Sequence, residues 1–182
     1  MLTDMTVIVP YDPDWPKRYT DEARKVREAL GALVVRIDHV GSTSVPGLAA
    51  KPVIDIQVSV PSVHPLSLIT GPLSQVGYTH IPDPDEEFER VYPLFRKPAI
   101  WPSSHHIHVC AAGSEQERRH LAFRDYLRGH PETATEYVDL KYRLAASHDG
   151  ASTESRERYA MAKSEFVEGV LQRAFERGYP RA

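Results

Sequence analysis

The sequence predicts an α/β (α+β) protein, read as a single domain of 182 residues with an α/β core over 1–112 and C-terminal helices over 113–182. Three observations lead there. Residues 53–60, Val-Ile-Asp-Ile-Gln-Val-Ser-Val, alternate Ile54, Ile56 and Val58 on one face with Asp55, Gln57 and Ser59 on the other, which is the period of a strand. Further β-rich runs before residue 112 are separated by helical patterns. After Gly113 the pattern is helical for the remainder.

The elements follow in order. Residues 6–11 read as a short edge strand or extended arm, because Pro10 cannot donate to a central ladder. Pro13 and Pro16 bracket a turn, Asp14 is a candidate N-cap, and Tyr19, Ala23, Val26 and Leu30 space the apolar stripe of a helix from Trp15 to Leu30. Gly31 is its stop. Residues 33–40 form a β-rich run ending at Gly41, and 42–51 read as a turn and a short helix before the 53–60 strand. A helix is expected around 63–76, ending at Gly77, with a strand beginning over Tyr78 to Ile81. Residues 82–87, rich in proline and acid, read as a loop. Strands are expected over 90–96 and 105–110, joined through Pro98 and Pro102. Helices follow over about 115–129, 131–146 and 154–177, with a polar loop at 147–153 and a stop near Gly178 and Pro180.

Composition narrows the function classes. A 41% hydrophobic fraction over this length is enough for a sizeable core. A formal net charge of -3 excludes a chain that binds polyanions through its overall charge, while leaving room for a local basic patch. The one cysteine, Cys110, excludes an internal disulfide framework and reads as core filler. The segment Met-Leu-Thr-Asp-Met-Thr lacks a signal-peptide pattern, and no segment reaches the roughly 20 apolar residues of a membrane span. The expectation is a cytoplasmic protein with no membrane partner. The sequence carries no signal for an oligomeric state.

The chemistry concentrates in one run, His39-Val-Gly-Ser-Thr-Ser-Val-Pro-Gly-Leu-Ala-Ala-Lys-Pro-Val-Ile-Asp-Ile-Gln-Val58. Gly41 permits close backbone approach, and the N–H groups and hydroxyls of Ser42, Thr43 and Ser44 are candidates to hold phosphate oxygens, with Lys51 as a point charge. A plain tight turn is the commoner use of such residues. Asp55 changes the balance, because a carboxylate in an apolar strand costs several kcal/mol unless it has a partner. The next position on its face is Gln57, which brings no charge.

A second element, Ser103-Ser-His-His-Ile-His-Val-Cys110, places His106 and His108 on one strand face and His105 on the other. If this strand adjoins 53–60, Asp55, His106 and His108 converge. Two imidazoles and one carboxylate suit Zn²⁺, Mn²⁺, Fe²⁺ or Ni²⁺ better than Mg²⁺. The same histidines also fit an ordinary hydrogen-bonded sheet surface. The third element is basic: Arg90, Arg96 and Lys97 flank an aromatic-rich strand, Arg118, Arg119, Arg124 and Arg128 lie on the first C-terminal helix, and Lys141, Arg143 and Lys163 follow. Most such residues are solvated or ion-paired. Arg124 and Arg128, four apart, either face an anion or anchor the helices to the sheet; Tyr159 and Lys163 share the same spacing.

These motifs resemble the GrpB family, assigned to the nucleotidyltransferase superfamily. The likeness runs from Pro10-Tyr-Asp-Pro-Asp-Trp-Pro16 through the Gly-Ser-Thr-Ser-Val-Pro-Gly-Leu block and His106-Ile-His-Val109 to Leu121-Ala-Phe-Arg-Asp-Tyr-Leu-Arg128, His130-Pro-Glu, Glu136-Tyr and the Tyr159/Lys163 pair. It implies a nucleotidyltransferase-like mixed sheet with flanking helices and a C-terminal helical part. It also implies transfer of a nucleoside monophosphate from a triphosphate with a divalent metal, Mg²⁺ or Mn²⁺. Gly41 and Ser42 match the phosphate-binding pair and Asp55 the first strand carboxylate; the second falls at Gln57, and His106-Ile-His-Val offers no third. Two-metal transfer needs several shared carboxylates, so the departure at Gln57 matters.

The resulting expectation is a metal-assisted, nucleotidyltransferase-like protein with a cleft for a nucleotide or small phosphorylated ligand. Asp55 is its catalytic candidate. Gly41, Ser42, Thr43, Ser44, Lys51, Arg124 and Lys163 are the ligand-binding candidates, and Asp55, Gln57, His106 and His108 the metal candidates. The alternatives are an inactive binding module of the same fold and a His/Asp transition-metal site with different chemistry. Nucleic acid is not an expected partner, because the aromatics near the arginines read as packing residues.

Overall fold

A strand with one apolar and one polar face is stable only if both faces are covered differently, and that rule organises the fold. The computed structural model describes residues 7–82, 92–147 and 152–181. Arg90, most of the predicted 82–87 loop and most of the 147–153 loop lie outside the described residues.

Five strands form one mixed sheet: β1 (Arg36–Val40), β2 (Ile54–Val60), β3 (Thr79–Ile81), β4 (Leu94–Lys97) and β5 (His105–Ala111), in the order β1-β2-β5-β4-β3. The central pair, β2 and β5, is parallel, and the other pairs are antiparallel. The β2–β5 register sets Asp55 opposite His106 and Gln57 opposite His108. The β1–β2 register sets Val40 opposite Asp55 and Asp38 opposite Gln57.

One face is dry. Ile54, Ile56, Val58 and Val60 of β2 pack with Phe95, Ile107 and Val109 against α1 (Trp15–Leu30) and α2 (Ser67–Gln75). Trp15, Val26 and Leu30 form the buried stripe of α1. Each fully buried aliphatic or aromatic side chain contributes about 1.5–3 kcal/mol. Gly31 stops α1 with φ 54°, as its lack of a Cβ allows.

The other face is covered by the helical part. α3 (Glu115–Gly129) lies over β1, β2 and β5, and Ser114 caps it by accepting a hydrogen bond from the Glu117 N–H. α4 (Pro131–Ser147), α5 (Thr153–Met161) and α6 (Ser164–Glu176) complete this layer. Ala122 and Tyr126 of α3 pack against Val170, Leu171 and Ala174 of α6.

Three sequence expectations change. Residues 42–51 form only a single 3-10 turn over Ser42–Ser44, because Pro46 and Gly47 follow too soon for a helix. The helix expected from 63 begins at Ser67, after Pro65. The helix expected over 154–177 is two helices, α5 and α6, broken at Ala162–Lys163, where Lys163 lies over the Tyr159 ring. The arm expected at 6–11 is represented by a single bridge between Val9 and Ala50.

Candidate functional site

Strand alternation puts Asp55, Gln57, His106 and His108 on the face covered by α3. The site centres on Asp55. His106 Nδ1 lies 3.4 Å and His108 Nε2 3.2 Å from the same oxygen, Oδ1 of Asp55. The nitrogen and oxygen ligand atoms of this trio all lie within 4.8 Å of one another. The side chains of Asp55, His106 and His108 are 26%, 18% and 30% exposed, so an ion can reach them. Burial alone would raise the Asp55 carboxyl, but hydrogen bonds from His106 and His108 outweigh it and hold the group well below the usual carboxylate range.

The second oxygen of Asp55 faces the turn after β1. Gly41 has φ 69°, and a Cβ there would stand 2.5 Å from Asp55 Oδ2. Glycine is required both for the backbone conformation and for this approach. The turn's hydroxyls are unequal. Ser44 Oγ donates to the Gly41 carbonyl at 2.6 Å, and Thr43 Oγ1 meets His39 Nε2 at 3.0 Å and donates to the Val53 carbonyl at 3.2 Å. These two hydroxyls tie the turn to itself and to its flanking strands. Ser42 instead bonds the Tyr137 phenol, which burial pushes up to about 12 against that bond.

Gln57 is fully buried, and its Oε1 lies 2.8 Å from His120 Nδ1. The carbonyl that was a metal-ligand candidate is thus turned to His120. His120 Nε2 in turn meets Gln116 Nε2 at 2.8 Å, and its ring packs 5.2 Å from that of His108. Burial, reinforced by the His108 charge, lowers His120 to about 3, so this imidazole is neutral at pH 7. His120 was not among the sequence candidates; the i,i+4 pairing of Gln116 with His120 on an amphipathic helix was the signal available for it.

Arg124 and Arg128 act as anchors. Arg124 Nε donates to Asp125 Oδ1 at 2.6 Å, and its NH1 reaches the His39 carbonyl at 3.2 Å and Asp38 Oδ1 at 3.4 Å. Arg128 donates to the Ser44 carbonyl at 2.7 and 3.1 Å. These contacts tie α3 to β1 and to the Gly-Ser turn, as the anchoring reading expects. Arg119 pairs with Glu168, and Lys97 pairs with Glu22 at 2.7 Å.

Lys51 and Lys163 behave differently. Their ammonium groups lie 4.0 and 4.4 Å from the centroid of the buried Tyr159 ring. Lys51 also stands 5.7 Å from the Trp101 ring. Burial lowers Lys163 to about 8, with the Asp55 charge opposing.

A mixed sheet that gathers the Asp55 carboxylate and two imidazoles beneath a helical layer, with a glycine turn against that carboxylate, defines an α/β protein with a candidate metal-binding centre. The family model described as GrpB protein matches residues 5–173, and the chain belongs to the GrpB family. A UPF0157 protein of Halalkalibacterium halodurans is 38% identical over 168 residues, covering 92% of this chain and 81% of that protein. A UPF0157 protein of Pseudomonas aeruginosa is 36% identical over 171 residues, covering 94% and 68%. The crystal structure of the conserved protein GrpB from Enterococcus faecalis superposes with a TM-score of 0.80 at 33% identity, covering 94% of this chain and 98% of that one. A dephospho-CoA kinase of Mycolicibacterium paratuberculosis is 29% identical, and the chain spans only 46% of it. Among the described residues, no helix is long and apolar enough to cross a membrane.

Proposed function

We propose that this GrpB-family protein binds a nucleotide or a related small phosphorylated ligand at the Asp55 cluster, and that one divalent metal there assists group transfer. The observation that carries the reading is the convergence on one carboxylate of the Gly41 turn and the imidazoles of His106 and His108. Asp55, His106 and His108 would hold the metal, which would supply Lewis-acid polarisation of a phosphoryl oxygen. Their two nitrogens and one oxygen suit Mn²⁺, Zn²⁺, Fe²⁺ or Ni²⁺. Gly41 brings the turn backbone against Asp55, Ser42 follows it in the same turn, and Lys51 and Lys163 would offset phosphate charge. Thr43, Ser44 and Arg124 hold the turn and α3 in place behind them.

Gln57 favours a second reading from another class, a binding module without turnover. Its side chain is uncharged and engaged by His120, so the charge needed for a two-metal centre is missing. A kinase activity is not proposed: the chain has no Gly-x4-Gly-Lys-Ser/Thr sequence.

The test is calorimetric titration with the four nucleoside triphosphates, with and without Mg²⁺, Mn²⁺ or Zn²⁺, followed by a search for release of labelled pyrophosphate. Saturable, metal-enhanced binding supports the reading. Absence of binding under every condition overturns its nucleotide part, and binding with no turnover selects the module.

A further inference from the structure

The connection from β1 to β2 serves the Asp55 centre only at its Gly41 end. Its other half, Val45 to Ala49, lines a cavity of about 680 Å³ against α3 and α4. Val45 and Leu48 of the turn, Leu127 and Arg128 at the end of α3, and Ala134 and Val138 of α4 shape it. The remainder of its wall is proline, glycine, alanine and Thr135. Asp55, Gln57, His106 and His108 are not part of it. Its apolar floor has a packing cause: Val45, Leu48 and Leu127 are buried with Tyr137 in the small core that seats α4 on the turn. The volume falls within the roughly 300–1,000 Å³ of small-molecule sites.

Among the described residues that line the cavity, Arg128 alone carries charge. Its Nε and NH2 both donate to the Ser44 carbonyl, at 3.1 and 2.7 Å, which occupies one edge of the guanidinium. A guanidinium has five N–H donors in a planar fork, and the outer edge, shared by NH1 and NH2, matches the two oxygens of a carboxylate. The acid beside NH1 does not fill that edge: Asp125 Oδ1 lies 3.9 Å away, beyond hydrogen-bond range, and accepts from Arg124 Nε at 2.6 Å. Burial and then the Arg124 charge lower Arg128 from its ordinary value in spite of Asp125, so the group is short of negative charge. Its side chain is 41% exposed, within reach of a ligand. The Thr135 hydroxyl already donates to the Pro131 carbonyl, which leaves Arg128 as the side-chain donor on this wall.

We infer that this cavity binds a small organic carboxylate with an apolar body, seated between the 45–49 turn and α4, whose carboxylate is held by the outer edge of Arg128. Transfer of the body out of water supplies affinity, and the charge-assisted pair supplies selection for the acid. A phosphate head is a poorer match, because its two charges and three oxygens would meet one cation and one pair of donors. The inference is independent of what binds at Asp55. The two places nevertheless share a residue: Arg128 holds the Ser44 carbonyl, and Ser44 Oγ donates to the carbonyl of Gly41, the glycine packed on Asp55. No covalent step is involved.

The experiment is calorimetry on the full chain with phenylpropionate, phenylpropionamide and phenylethyl phosphate, which share an apolar body and differ in head group, and with octanoate as an aliphatic acid. Phenylpropionate is expected to bind at least tenfold more tightly than the amide or the phosphate. Arg128→Gln should erase the preference for acid over amide. Val138→Trp, which fills the cavity from α4, should weaken both by tenfold or more. Asp55→Asn should leave both within threefold of wild type, which separates this site from the metal centre. Thermal melts verify that each variant is folded, and the comparison of acid with amide on wild-type protein needs no variant. Absence of binding by both acids, equal affinity for acid and amide, tighter binding of the phosphate, or binding untouched by Val138→Trp overturns the inference. So does sedimentation of the free protein as a dimer that Val138→Trp dissociates, which assigns the cavity to a second copy of the chain.

Discussion

The two faces of the sheet treat charge in opposite ways. On the α1–α2 side, Glu22 is 3% exposed, yet its two oxygens meet Lys97 at 2.7 Å and Lys25 at 2.9 Å. Burial alone would raise its carboxyl, but those lysines more than compensate and lower it. With the two ammonium groups on its two oxygens, the charge is locally closed. On the α3–α6 side, Asp55 has imidazoles for neighbours, and the buried Lys141 has a carbonyl and a ring. The buried acid on one face is closed by two ammonium groups, whereas the buried lysine on the other is held by a carbonyl and an aromatic ring.

Four substitutions break or sharpen this contrast. The largest effect is expected on the dry face: Ile56→Ala, at a fully buried position, should lower unfolding stability in urea by about 2–5 kcal/mol without altering Mn²⁺ affinity. Next, Asp55→Asn should weaken Mn²⁺ or Zn²⁺ at least 100-fold, roughly 2.7 kcal/mol, measured by competition with a chelating dye, while stability stays within about 1 kcal/mol. A stability loss as large as that of Ile56→Ala would make Asp55 a structural residue.

Lys141→Met should act in the other direction, stabilising the free protein by on the order of 1–4 kcal/mol at pH 7. The sign follows from linkage. Lys141 titrates at about 7 when folded and at its ordinary value of 10.5 when unfolded, so between these values the unfolded chain binds more protons. Wild-type stability therefore rises with pH from about 7 toward 10.5, and the penalty is fully present below the folded value. Urea melts at pH 7 and 9 should show that rise in wild type and a flatter response in Lys141→Met. The smallest effect is expected for Gln57→Met: about 1–3 kcal/mol of stability, from leaving His120 Nδ1 without its acceptor, and a metal affinity within threefold of wild type. A tenfold loss of affinity would restore Gln57 to the metal site.

Much of the dry face was legible in the sequence. The apolar positions of 53–60 alternate, the stripe of 15–30 has helical spacing, and both patterns survive because burial drives them. The same alternation placed Asp55, His106 and His108 on one face, while their adjacency depended on the parallel pairing of β2 with β5, which no local pattern encodes. Gly41 was readable as a close-approach residue, but its neighbour, the Asp55 carboxylate, was not. The lysines were hidden for a different reason. Tyr137, Lys141, Tyr159 and Lys163 look like ordinary helix residues, and only the packing of α4 and α5 against the turn at Ala49 and Lys51 turns them inward. The partners of Thr43, Ser44 and Arg124 were equally hidden, because the carbonyls of Val53, Gly41 and His39 and the carboxylate of Asp38 reach them only in the folded turn.

The central claim is that Asp55, His106 and His108 form one metal centre. Its most direct test is isothermal titration of the chelator-stripped protein with Mn²⁺ and with Zn²⁺, alongside a His106→Ala/His108→Ala double variant. One high-affinity equivalent per chain that disappears in the double variant is the predicted result. No saturable binding in wild type, or an equivalent that persists without both imidazoles, would contradict it.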